Sequence, residues 1–133
     1  MTEPARARPT RLQAFGHALR GVACLVRTQP HARFHVVAAT AVVALGAALH
    51  LSAWRWAALI GAIALVLVAE ALNTAIEFAV DLASPEWHET ARDAKDVAAG
   101  AVLLAAVAAV VLGALAFAQP LHALWQSAGS AAR

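Results

Sequence analysis

Charge is scarce in this chain. Of its 133 residues only 14% are Asp, Glu, Lys or Arg, while 62% are hydrophobic. Soluble domains usually carry about 25% charged and about 45–50% apolar residues. A soluble globule of this length cannot hide so much apolar surface, because small domains have a poor surface-to-volume ratio. The same excess argues against disorder. A small membrane protein of one domain, residues 1–133, is what remains. The single cysteine, Cys24, excludes an internal disulfide. The chain has no Cys-x-x-Cys pair and no His/Cys cluster with zinc-like spacing. It also lacks the Gly-x-x-x-x-Gly-Lys-[Ser/Thr] loop and the glycine-rich loop of protein kinases. No internal repeat is present. The net charge of +2 and the pI near 9.5 do not point to nucleic acid, since most arginines lie in one N-terminal segment.

The charges that exist are sharply localised. Between Phe34 and Ala69 the only one is Arg55, and from Val97 to Ala132 there is none. A helix needs about 20 mostly apolar residues to cross a bilayer. Three segments qualify: 97–118, closed by Gln119-Pro120; 54–82; and the shorter 34–51. Trp54 and Trp56 fit an interfacial aromatic belt. Arg6, Arg8, Arg11, Arg20, Arg27 and Arg33 all precede the first span, so the positive-inside rule puts that end in the cytoplasm. A cleavable signal peptide fits these arginines poorly. Three crossings then put the 50–55 turn outside, the 84–96 loop inside and the 119–133 tail outside. The expected location is a bacterial cytoplasmic (inner) membrane.

Residues 10–29 read as an amphipathic helix. Leu12, Phe15, Leu19, Val22 and Val26 recur by threes and fours on one face. Arg11, Gln13, His17, Arg20 and Arg27 lie away from it. Low overall hydrophobicity with arginine on the polar face predicts a helix lying in the membrane interface. The expected fold is therefore an all-α membrane protein, with one interfacial helix and three transmembrane helices.

The second span carries the informative residues. Glu70, Asn73, Glu77 and Asp81 fall within about 80° on one helix face. Glu70 and Glu77 are two turns apart, roughly 10 Å along the axis. Acids at membrane depth are costly and mark functional paths. A helix end emerging into water accounts for Asp81, but poorly for Glu70 between Ala69 and Ala71. Next, Ser84-Pro85-Glu86 reads as a helix start with Ser84 at the N-cap. Lys95-Asp96 stands where the last apolar run begins. That lysine suits a snorkelling anchor or a phosphate contact. Gly100 and the alanines beside it favour close helix approach.

Paired carboxylates near a lysine at a membrane surface suit metal-assisted chemistry on a phosphate. One carboxylate holds a divalent cation and another takes a proton from an attacking hydroxyl. The same stripe also suits a proton or cation path, and small-residue faces suit a non-enzymatic membrane subunit. Side-chain chemistry alone leaves these open.

The sequence Glu70-Ala-Leu-Asn73-Thr-Ala-Ile-Glu77, then Asp81, then Ser84-Pro85-Glu86-Trp87-His88, then Ala94-Lys95-Asp96-Val-Ala-Ala-Gly100, resembles the prokaryotic diacylglycerol kinase family, which includes the undecaprenol kinases. The likeness covers Ala14 to Phe117 in element order. It implies a homotrimeric bundle that uses Mg²⁺ and ATP to phosphorylate a membrane lipid: diacylglycerol to phosphatidic acid or, alternatively, undecaprenol to its phosphate. It implies that Glu70 is the catalytic base and also borders the lipid. It makes Glu77 a metal ligand and ATP contact, and Asn73 a supporting residue. ATP would also meet His17, Gln29, Glu86, Trp87, His88, Lys95 and Asp96. The lipid would also meet Ala14, Phe15, Leu19, His31, Arg33, His35 and Ala99.

One departure stands out. Four residues before Arg33 the family usually has a glutamate, a second metal ligand, and this chain has Gln29. Glutamine keeps an oxygen but loses a charge, so metal affinity should fall. An N-terminal arginine of the family falls on Thr10, with Arg11 one residue off.

Overall fold

The computed structural model describes residues 9–131. Arg6, Arg8 and Arg133 lie outside the described residues. The described chain is all helix and turn: α1 (Arg11–Thr28), α2 (Pro30–Ala48), α3 (Ala53–Ala83) and α4 (Glu89–Ala131).

Local chemistry explains most boundaries. Thr10 caps α1 in a capping box. Its Oγ1 accepts from the Gln13 amide at 3.3 Å, and its own amide donates to Gln13 Oε1 at 2.8 Å. Helix α1 ends at Gln29, which is extended (φ −106, ψ 111). The cause is Pro30, which disfavours the helical region for the residue before it. Pro30 is then pre-set for the first position of α2. Gln29 thus closes one helix and opens the next. Helix α2 starts four residues before the expected Phe34, because that proline is a better start than the apolar pattern indicated. The turn after α2 includes His50 at φ 49, in the left-handed region uncommon for a side-chain-bearing residue.

Two sequence expectations are corrected around α4. Ser84 does not start a helix. It is the C-cap of α3, and its hydroxyl donates to the Glu86 carbonyl at 3.1 Å. Helix α4 begins at Glu89, where His88 Nδ1 accepts from the Thr90 amide at 3.2 Å. A nearer side-chain cap therefore replaces the Ser-Pro signal. Nor does α4 stop at Gln119-Pro120. Pro120 stands inside it, and the helix runs on to Ala131. Proline removes one amide donor, and spanning helices tolerate that loss when other groups compensate.

Helices α2, α3 and α4 are each long and apolar enough to cross a membrane. Helix α3 packs most extensively on α4, next on α2, and least on α1. Its buried stripe is Leu59, Ala62, Val66, Glu70 and Thr74, spaced by threes and fours. The core cluster of Leu51, Leu59, Ala116 and Phe117 lies near the N-terminal end of α3. There Gly46 is required for close approach. A Cβ on it would meet the Trp56 ring at 3.1 Å and Leu51 at 3.3 Å. Gly100, in contrast, has open space around it, so within one chain it does not make the close approach its neighbours suggested. Helix α1 buries Leu25. Leu12, Phe15, Leu19 and Val22 of its apolar stripe stay exposed.

Candidate active site

The site is built on α3 beyond its apolar half. Glu70 is only 4% exposed. It shares the buried stripe with aliphatic residues, so its carboxylate needs a partner. His35 on α2 supplies one, its Nε2 lying 3.2 Å from Glu70 Oε1. Nothing in the sequence spacing brings these two residues together. The packing of α2 on α3 does.

His35 is also the one polar side chain lining an apolar cleft of about 420 Å³ between α2, α3 and α4. Its walls include Phe34, Val66, Ala109, Gly113 and Phe117. A hydrocarbon chain in that cleft would have a polar end at His35, beside Glu70.

About one, two and three turns further along α3 lie Asn73, Glu77 and Asp81, the other members of the stripe. Asn73 Nδ2 donates to Glu77 Oε1 at 3.0 Å, an i, i+4 pair on one face. Asp81 is paired with Lys95 of α4. The lysine proposed for a phosphate is therefore held by a carboxylate, on a solvent-exposed pair that ligand charge can reorganise. Arg92 lies 2.7 Å from Asp93, 3.8 Å from Glu89 and 4.0 Å from Asp96. In the 84–88 connection Trp87 is 79% exposed, and Glu86 is exposed too.

The remaining candidates are more scattered. On α1, Ala14, Phe15, His17 and Leu19 are exposed, and His17 Nδ1 accepts from the Arg20 guanidinium at 2.9 Å. Gln29 is half-buried at the α1–α2 corner, whereas His31 and Arg33 are exposed. Ala99 is exposed on α4, while its neighbour Ala98 is buried. Among the described residues no hydrogen bond or ion pair joins α1 or Gln29 side chains to Glu70, Glu77 or Lys95. The structure thus brings together His35 with Glu70, Asn73 with Glu77, and Asp81 with Lys95. Sequence reasoning missed Thr74. It is 5% exposed, and its Oγ1 has no hydrogen-bond partner. Its position four residues after Glu70 was the available signal.

Residues 16–117 match the family described as prokaryotic diacylglycerol kinase. The chain is 44% identical over 117 residues to a diacylglycerol kinase of Synechocystis sp., covering 87% of this chain and 67% of that protein. It is 41% identical over 105 residues to an undecaprenol kinase of Bacillus subtilis, covering 79% and 85%. A diacylglycerol kinase of Escherichia coli is 33% identical over 100 residues, covering 75% and 82%.

Proposed function

Because the chain belongs to the prokaryotic diacylglycerol kinase family, and is thus a lipid kinase of the membrane, we propose that it transfers the γ-phosphoryl of ATP to diacylglycerol, giving phosphatidic acid. The observation that carries this reading is Glu70. It is a carboxylate 4% exposed, 3.2 Å from His35 Nε2 at the polar end of an apolar cleft. That is where a lipid hydroxyl and a proton acceptor can meet.

The chemistry follows from these side chains. The acceptor alcohol approaches from the apolar side with its hydroxyl at Glu70. His35 holds one carboxylate oxygen, leaving the other to take the hydroxyl proton. The deprotonating oxygen attacks the γ-phosphorus, and ADP leaves. ATP approaches at the Glu77 end. Lys95 exchanges Asp81 for phosphate oxygens, and Asp96, Glu86, Trp87, His88 and His17 border the nucleotide. Ala14, Phe15, Leu19, His31, Arg33 and Ala99 border the lipid. Phosphoryl transfer relies chiefly on positioning and charge stabilisation, and this arrangement provides both.

The donor set fits Mg²⁺. Among the described residues no three His, Cys, Asp or Glu side chains gather into a self-sufficient metal cluster. Mg²⁺ ordinarily takes one or two carboxylates and completes its shell with phosphates and water. Glu77, steadied by Asn73, would be the carboxylate, and Gln29 would add an amide oxygen. When bound, the ion neutralises charge on the ATP phosphates.

The working form is a homotrimer in the bacterial inner membrane, with the 84–96 loop and the N-terminus cytoplasmic. Helix α1 lies in the interface with Leu12, Phe15, Leu19 and Val22 toward the lipid. Undecaprenol is the second acceptor to consider, favoured by the 41% identity across 85% of the undecaprenol kinase. Apolar pockets discriminate weakly between hydrocarbon chains. The test is purified protein with labelled ATP, with and without Mg²⁺, on diacylglycerol and undecaprenol side by side. Mg²⁺-dependent labelling of diacylglycerol is expected. Faster labelling of undecaprenol would reassign the acceptor, and labelling of neither would overturn the reading.

A further inference from the structure

Thr74 differs from Thr28 and Thr40, the other threonines placed far enough into a helix to have a carbonyl of that helix one turn back. A helical threonine ordinarily returns its hydroxyl proton to the carbonyl four residues back. Thr28 does so to Cys24 at 2.9 Å, and Thr40 does so to Val36 at 2.8 Å. Both are exposed and have water as an alternative. Thr74 is 5% exposed and makes neither this bond nor any other. A buried hydroxyl without a partner is costly and needs an explanation.

Its place on α3 supplies one. Thr74 is four residues from Glu70 and three from Glu77, so its Cα stands about 6 Å along the axis from the first and about 4.5 Å from the second. All three lie within about 60° around the helix. With Glu70 as the base and Glu77 beside the nucleotide phosphates, the group that moves between those two residues is the γ-phosphoryl. We propose that Thr74 is a catalytic residue whose hydroxyl donates a hydrogen bond to a non-bridging oxygen of that phosphoryl during transfer. The proposal rests on the reading of Glu70 and Glu77 given above.

The step balances without any added reactant. The acceptor O–H bond breaks and its proton passes to Glu70. The acceptor oxygen forms a bond to the γ-phosphorus. The bond from that phosphorus to the β–γ bridging oxygen breaks, and its electron pair leaves with ADP. Thr74 keeps its own proton and serves as a fixed donor where negative charge is spread over the phosphoryl oxygens.

Full-length wild type, Thr74→Val, Thr74→Ala and Thr74→Ser are compared on ATP, Mg²⁺ and both lipids, and their thermal midpoints are measured without nucleotide. Valine matches threonine in shape but has no hydroxyl. Thr74→Val and Thr74→Ala should each lower kcat by about tenfold to a hundredfold, the scale of one hydrogen bond to a charged group, with KM for ATP and lipid little changed. Thr74→Ser should keep most of kcat. Thr74→Val should melt at or above the wild-type temperature, because it removes an unpartnered buried polar atom. A valine variant with wild-type kcat overturns the proposal. So does a serine variant as slow as valine, or a kcat loss in valine that merely follows a lower melting temperature. Wild type inactive on both lipids would instead overturn the kinase reading beneath it.

Discussion

The two ends of α3 are built to different rules. At its N-terminal end Leu51, Leu59, Ala116 and Phe117 pack together, and Trp56 presses against Gly46. The polar pair there, Arg55 with Gln119, ties α3 to the residue just before Pro120 of α4, and Arg55 also sits 5.8 Å over the Trp54 ring. Toward the other end the buried stripe turns polar. Glu70 and Thr74 are buried, Asn73 Oδ1 and Thr74 Oγ1 are unpaired, and an apolar cleft opens beside His35. Arg55 too leaves its Nε unpaired, but Leu51, Ala116 and Trp56 pack together at that end, where Leu59 and Phe117 form the far wall of the cleft. One end spends its residues on packing, and the other holds polar groups without a partner among the described residues. Functional sites commonly carry such unsatisfied groups, supported by a rigid remainder.

This contrast can be broken most severely at Glu70. Glu70→Gln should lower lipid phosphorylation at least about a hundredfold, the usual scale for losing a general base, while helix content by circular dichroism stays unchanged. Retained turnover would remove Glu70 from the mechanism. The packed end should respond in the opposite sense. Leu51, 7% exposed and not part of the cleft wall, leaves a cavity when cut to alanine. Leu51→Ala should cost roughly 1–3 kcal/mol of stability in detergent, mostly a cavity effect because lipid is itself apolar, with kcat kept at permissive temperature. A kcat loss like that of Glu70→Gln would mean the two ends are not separable.

Smaller effects sharpen the comparison. Gln29→Glu restores a carboxylate at the α1–α2 corner, so half-maximal activity should be reached at lower Mg²⁺. An unchanged Mg²⁺ titration would take residue 29 out of the metal site. Gln119→Leu removes the Arg55 partner and should lower stability by only roughly 1 kcal/mol, read as a small shift in thermal midpoint with kcat unaltered.

Much of this was legible in the amino-acid order. The 54–82 segment became α3 at Ala53–Ala83 because its apolar residues persist at helical spacing and no proline interrupts them. The 10–29 segment became α1 because Thr10 and Gln13 form a capping box and Pro30 bars continuation. The stripe of Glu70, Asn73 and Glu77 followed from helical spacing alone. Less legible were the ends of α4. Capping by His88 and continuation past Pro120 depend on which local hydrogen bonds form, and Ser84-Pro85 and Gln119-Pro120 resemble boundaries in any sequence.

The order of residues, by itself, determined that this is a helical membrane protein with acids on one face of its second span. Apolar run length and a 3.6-residue period are local properties that survive in any packing. The tertiary structure alone decided that His35, 35 positions before Glu70 in the chain, lies 3.2 Å from its carboxylate, and that Lys95 meets Asp81. It also decided that Thr74, rather than a solvated neighbour, is buried with its hydroxyl unanswered. These depend on which face of each helix meets the next, and side chains distant along the chain set that choice.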